Sequence, residues 1–464
     1  MQQLFAKYGL AAHLAILAVA PLFLFPFFGE GACVSVLLWL SAPAAFWVLL
    51  EPSVRMGEHL SDSRRRVAWS VFHDPLFWVA LSLVVFTGLR ALNTGVALAY
   101  DAEKSVWAVS SPEVALFPGS VGATGQVPFA AAVAFTILVQ GCRHALGRSA
   151  RMAFLLLVSF LSGLAAVTAV LAVFWGCPEA LAVLKTTDGS LSSFVGLSFG
   201  LYLLAGTVAL AASFEQKWAA APVLLTLSIG GNAAGVLAFS PVYLVVGLAV
   251  LELALFAYSL VYARSGAQAS GAVKQLALVV IALTLGGLML AALLPQNVQM
   301  ERIRAFRNLY LFPMGFWPRR AALSAAAFKS WVAHLWAGTG VASFPIGSRF
   351  VLLPGDWKLF PRGAQFVSNG WWQVLSERGL VGFVFIVLPF GFLFFTYCRR
   401  LVGGLRAWTF PHPACLLAVW ALVIFIGVGF FDNSPFRADV LLATGALMAV
   451  SAAAFPRRRG RDHG

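Results

Sequence analysis

Apolar runs of about 20 residues recur along nearly the whole chain, and no other feature constrains its fold as strongly. A helix of that length crosses the roughly 30 Å hydrocarbon core of a bilayer. Inside lipid every backbone polar group must be satisfied within the protein, so these runs are expected to be helices. Twelve candidate spans result, at residues 8–28, 31–50, 75–92, 127–141, 152–175, 191–212, 219–239, 241–262, 275–294, 379–398, 413–431 and 438–455. Composition agrees, with 11% charged residues and a mean hydropathy of +0.86. A soluble domain carries about 25% charged residues. The expected fold class is an all-α polytopic membrane protein.

Orientation follows from lysine and arginine in the short connections. With the N-terminus cytoplasmic, the inside segments hold eighteen of them, including Lys7, Arg64 to Arg66, Arg143, Arg148, Arg151 and the tail from Arg457 to Arg461. The outside segments hold Lys104, Lys185 and Arg437, with Arg90 near the outer end of the third span. Both termini are therefore expected inside. The chain divides into 1–294, with nine spans; 295–378, one large outside loop that is partly helical; and 379–464, with three spans and a basic tail. The first span lacks a small-residue cleavage site and reads as a retained helix. Five cysteines, at 33, 142, 177, 398 and 415, form no CxxC pair, so neither a disulfide framework nor a metal site is indicated. The net charge of +14 follows the topology and is not read as nucleic-acid binding.

The outside loop breaks the charge bias. It carries ten basic residues, among them Arg304, Arg307, Arg319, Arg320 and Arg378, against the acidic Glu301, Asp356 and Glu377. Long loops are largely exempt from the positive-inside rule, so the topology stands. Two explanations remain open: attraction to anionic lipid headgroups, or an anionic substrate clamped by guanidinium groups. Residues 319–337 read as a helix, with Pro318 at its start and Gly338 as its stop. Arg319 and Arg320 then occupy the first turn, where cations oppose the helix dipole but an anion would also meet free amides. Gly338-Thr339-Gly340 reads as a tight turn, with no strand before it to make a dinucleotide fingerprint.

Further on, SNGWWQVLSERGLVGF leads into the tenth span. If helical, Asn369, Gln373 and Glu377 form one polar stripe at four-residue spacing. Such a stripe suits either recognition of sugar hydroxyls or a solvated face at the membrane surface. Tryptophans 317, 331, 336, 357, 371 and 372 crowd into the loop, where six of the chain's fifteen lie. Interfacial belts explain part of this, and sugar-stacking surfaces, with Trp371 and Trp372 nearest the stripe, offer a reason for the rest. Within the spans, Glu252 has no partner evident from sequence. Arg90 either joins an outer site or snorkels to the interface.

An Arg-headed helix ending in GTGVASF, followed by SNGWWQVLSERGLVGF, resembles the O-antigen ligase and O-antigen polymerase family of bacterial polysaccharide enzymes. That family has about twelve spans and one large periplasmic loop before a span that opens with a motif of the type HNxxxQxxxExGxxG. The matching positions here are Ser368, Asn369, Gln373, Glu377, Gly379 and Gly382, with Ser368 standing where the ligases place His. The motif match covers about 65 residues. The resemblance implies a GT-C-like architecture in a bacterial inner membrane. It also implies transfer of a glycan from an undecaprenyl-diphosphate carrier to a hydroxyl of a glycan or lipid acceptor, on the periplasmic face, without metal or cofactor. Arg320 and Arg319, with Arg304, Arg307 and Arg90 as further candidates, would hold the diphosphate, and Asn369, Gln373, Trp371 and Trp372 would contact sugar. Glu377 would orient the site or act as base, with His334 and Asp356 as the other candidate bases. A secondary transporter or flippase is the competing class, but the link FEQKW shows no repeat of halves, and the large loop is late and external.

Overall fold

The computed structural model describes residues 2–50, 59–93, 97–101, 106–110, 126–172, 193–215, 221–240, 242–264, 269–294, 296, 299–300, 316–341, 343–353, 355–360, 364, 367, 369–406, 414–430 and 436–453. The chain begins with a continuous helical assignment, α1 (Gln2–Leu50). A straight helix would hold residues 13 and 40 about 40 Å apart. Instead, His13 Nε2 meets the Leu40 carbonyl at 2.9 Å, and its ring packs edge-on against Trp47. α1 is therefore a helical hairpin, and its two arms match the first two expected spans.

An added amphipathic helix, α2 (Leu60–Phe72), buries Ser63, Val67 and Val71 and leaves Trp69 and Phe72 exposed. α3 (Pro75–Leu92) starts sharply, because Asp74 accepts the Leu76 amide at 3.2 Å and Pro75 presets the first turn. Next comes a feature the all-α expectation missed. β1 (Ala97–Asp101) and β2 (Val106–Ser110) pair antiparallel, with Ala99 opposite Ala108. Val106, Trp107, Val109 and Tyr100 favour strands, a weak signal within a stretch read only as an outside connection.

Then follow α4 (Gln126–Gln140), which passes into a π-helical turn at Gly141–Ala145, and α5 (Arg148–Leu171). α6 (Ser193–Glu215), α7 (Ala221–Phe239), α8 (Val242–Arg264) and α9 (Ala269–Leu293) continue the bundle. The late segment contributes α10 (Phe316–Ala333), α11 (Phe344–Val351) and a 3₁₀ turn at Asp356–Leu359. The chain closes with α12 (Gly370–Arg406), α13 (Ala414–Gly429) and α14 (Ala438–Ala453). Six helical windows are long and apolar enough to cross a membrane: Ala32–Leu49, Pro75–Leu92, Gln126–Ala145, Ser149–Leu171, Ala221–Phe239 and Gly370–Arg399. Apolar helices of 10–17 residues accompany them. The chain is a predominantly helical, multi-pass membrane protein.

α7 lies at the centre of the bundle and packs on α5, α6 and α9. It can approach α5 closely because glycine faces glycine: a Cβ on Gly231 would sit 2.7 Å from the Gly163 carbonyl oxygen. Such small-residue contacts, with hydrogen bonds across them, hold helices together in lipid. Here Ser162 Oγ donates to Asn232 Oδ1 at 2.7 Å, and Asn232 Nδ2 donates to the Ser159 carbonyl at 3.0 Å. Glu252 on α8 finds its partner on α6, where the Thr207 hydroxyl donates to it.

Candidate active site

The site is built where α12 begins and then breaks. Asn369 stands just before the helix, and its Oδ1 accepts the amides of Trp371 at 3.0 Å and Trp372 at 3.3 Å. This is an N-cap, so Asn369 is not part of a helical stripe and its carbonyl oxygen is already engaged. Gln373 and Glu377, one turn apart, do share a face, with Gln373 Nε2 donating to Glu377 Oε1 at 3.3 Å. Gln373 Oε1 accepts the Val367 amide at 3.1 Å, and Glu377 Oε1 accepts the Phe344 amide, at the start of α11, at 3.4 Å. Both side chains are 5% exposed, so the carboxylate is held in a protein environment and not on a wet surface.

Two residues later the helix fails. Gly379 has φ 66° and ψ −174°, a region open essentially to glycine alone. Backbone groups released there need partners at membrane depth, and irregular backbone is tolerated in membranes only where protein supplies them. The segment 335–340 does so, crossing the break as a strap. Thr339 N donates to Ser376 O and Gly340 N to Glu377 O, each at 2.9 Å. On the other side, Leu380 N donates to Leu335 O at 2.9 Å and Val381 N to Trp336 O at 3.2 Å. Gly338 and Gly340 make the turn with φ of 69° and 108°. A third element locks the crossing: Arg90, 2% exposed at the end of α3, donates to the Ala337 carbonyl and, at 3.3 Å, to the Glu377 carbonyl.

Arg90 therefore does not snorkel, and both terminal nitrogens of its guanidinium bond the backbone of the crossing. Of the two readings open for Arg90, the inward one holds: the side chain braces the break beside Glu377. Arg320, 8% exposed, donates through Nη2 to the Phe430 carbonyl at 2.9 Å, past the end of α13. Arg319 beside it is exposed. The Trp371 ring packs against Phe383, Phe425 and Phe436, and its Nε1 donates to Ile426 O at 3.3 Å. That half-buried indole packs against the edge of the core. Trp372 instead joins Trp331 and Phe328 in a partly open aromatic group, with ring centroids 6.0 and 5.5 Å away.

The other candidate bases stand outside the hydrogen bonds that Glu377 makes with Gln373 and the Phe344 amide. His334 is exposed in the turn after α10, and Asp356 opens the 3₁₀ turn. Neither side chain makes a hydrogen bond to Glu377 among the described residues. α10 ends at Ala333, with a turn up to Gly338, and not at residue 337. Arg304, Arg307 and Ser368 lie outside the described residues.

Sequence reasoning missed Arg378, which a helical wheel puts on the side away from the stripe. It is half-buried and close enough to Glu377 and Arg90 to interact electrostatically with both. Two guanidinium groups and one carboxylate thus lie within electrostatic reach of one another at the break. The signal available in sequence was the glycine pattern, GTG in one block and RGLVG in the other. No family model matches the chain, and a search among curated proteins finds no relative.

Proposed function

We propose that this protein transfers a glycan from an undecaprenyl-diphosphate carrier to an acceptor hydroxyl at the periplasmic face of a bacterial inner membrane. One observation carries this reading. The two sequence blocks that resemble the O-antigen ligase and polymerase family, GTGVASF and SNGWWQVLSERGLVGF, are hydrogen-bonded to each other around Glu377. The six long apolar windows and the shorter apolar helices together fit the twelve spans of that plan.

An enzyme outside the cytoplasm has no nucleotide supply, so its donor must already carry a good leaving group. A lipid diphosphate is one. The bond between the anomeric carbon and the diphosphate oxygen breaks, a new bond forms to the acceptor oxygen, and the hydroxyl proton passes to a base. Glu377 is the best-placed base, because Gln373 and the Phe344 amide fix its orientation. Arg320, with Arg319, would stabilise the charge developing on the leaving diphosphate, while Arg378 lies within electrostatic reach of Glu377. Ser368 in place of the ligase His favours polymerisation or a related exopolysaccharide reaction over ligation.

Purified protein given a synthetic diphosphate-linked glycan and an acceptor should yield a new glycosidic bond. Arg320→Ala should lower turnover by about 10²-fold or more, as when one donor to a developing charge is removed. Translocation of the lipid-linked glycan across the bilayer with no new bond would overturn the proposal.

A further inference from the structure

α10 has two faces of opposite fate. Leu323, Ala326 and Ala327 are buried in a small core with Phe344, Leu352, Ala364 and Val367. The other face, at alternating three- and four-residue spacing, shows Ala321, Ala325, Phe328 and Val332, and the following turn adds Leu335 and Trp336. The larger of these are well exposed: Phe328 46%, Val332 56%, Leu335 39% and Trp336 64%. A helix in water carries charged and polar residues on its outward stripe. Here the only charge interrupting the stripe is Lys329, whose long stem can lie along apolar surface while its head stays wet.

Backbone bonds set the level of this patch relative to the membrane. Leu335 O and Trp336 O accept amides from Leu380 and Val381, just past the break in α12. From there to Arg399, the end of the apolar window, about 20 residues rise about 30 Å, the thickness of the hydrocarbon core. Arg90, in the last turn of the spanning helix α3, holds the Ala337 carbonyl. Two independent spans thus place residues 335–337 at the edge of the hydrocarbon. At that level both spans also turn apolar side chains outward: Leu89 at 45% and Leu92 at 83% on α3, and Val384 at 41% on α12.

We propose that the exposed face of α10 and of the turn after it, from Ala321 to Trp336, is a lipid-contacting surface that lies in the interfacial layer of the adjoining leaflet, continuous with the outward faces of α3 and α12. The partner is the bilayer itself: acyl chains against Phe328, Val332 and Trp336, with headgroups beside Lys329 and the exposed Arg319. The late segment is then a half-sunken element, with its core-facing side packed on Glu377's helix and its other side in lipid. The inference rests on α3 and α12 crossing a membrane and does not depend on glycan transfer.

The test is photocrosslinking of the full chain in nanodiscs of phosphatidylethanolamine and phosphatidylglycerol. A benzoylphenylalanine is placed at Val332 or at Trp336, with Leu388 as the lipid-facing reference and Lys358 as the water-facing one; both reference side chains are exposed. Positions 332 and 336 should give lipid adducts at the level of 388 and roughly tenfold above 358. Yields matching 358, or crosslinking of 332 and 336 to a second copy of the chain in place of lipid, would overturn the proposal. Ala325, on the same stripe, serves if substitution at Trp336 prevents folding. Loss of the signal at 388 would instead indict the spanning assignment.

Discussion

Asp74 has two tasks at the start of α3, and they can be separated. Its Oδ1 caps the Leu76 amide, while its Oδ2 meets Arg143 Nη1 at 2.8 Å and His144 Nε2 at 2.9 Å. Burial works against its ionisation, but the His144 hydrogen bond and the Arg143 charge outweigh it and hold the carboxyl below its usual range. Asparagine keeps the cap and loses the charge. Asp74→Asn should therefore cost about 3 kcal/mol by leaving Arg143 short of its partner. The pH dependence has a definite sign. A carboxyl depressed in the folded state contributes its full stability above the unfolded value, near 3.9, and loses it as pH falls through the lower folded value. Thermal unfolding in detergent should show the gap between wild type and variant closing below about pH 4. A gap of constant size down to pH 3 would show that the ion pair is not its source. None of this network could be read from sequence, since Asp74 and its partners meet only through the packing of α3 on α4. Glu252 is the same case: the sequence marked it as unusual, but its partner Thr207 lies on another helix.

The break in α12 belongs to the scale of elements. Gly338 and Gly379 sit back to back: a Cβ on Gly379 would strike the backbone of Trp336 and Ala337, and one on Gly338 would strike that of Glu377 to Gly379. Gly379 also holds a conformation barred to other residues. Gly379→Ala should thus destabilise the protein by about 3 kcal/mol or more, combining backbone strain with a collision that no side-chain rotation relieves. Gly338→Ala should do similar damage. Because both changes disrupt one crossing, the double variant should lose less than the sum of the two, and thermal denaturation of the three variants measures it. Full additivity would mean the glycines act independently and the crossing is not a unit. Helix ends set by local signals were legible: Pro318 near the start of α10 and Gly338 closing the turn after it. Hydropathy by itself instead starts a span at residue 379, where it rises. The helix begins nine residues earlier, at Gly370, because Asn369 caps it. Partners for the freed amides come from 45 residues upstream, which no local pattern shows.

At the scale of the whole molecule, the order of apolar helices was the most readable property, because hydrophobic length alone decides it. Sidedness follows from a different quantity, the distribution of lysine and arginine, and it carries its own prediction. Eighteen basic residues lie in the segments expected inside, against four in the short outside ones. The reversal within α1, which brings Trp47 to His13, keeps this alternation in phase, since an unreversed helix of 49 residues would shift every later segment by one crossing. A green fluorescent protein joined after Gly464 should therefore fluoresce, as it does only when folded on the cytoplasmic side. Alkaline phosphatase inserted after Lys358, in the late segment, should be active, because it matures only outside. The same phosphatase placed between α5's preceding basic turn and its partner helix, after Gly147, should be silent. An active phosphatase at 147 with a silent one at 358 would invert the molecule. It would put Glu377 and the nearby Arg378 on the nucleotide-bearing side of the membrane, where a donor need not be a lipid diphosphate.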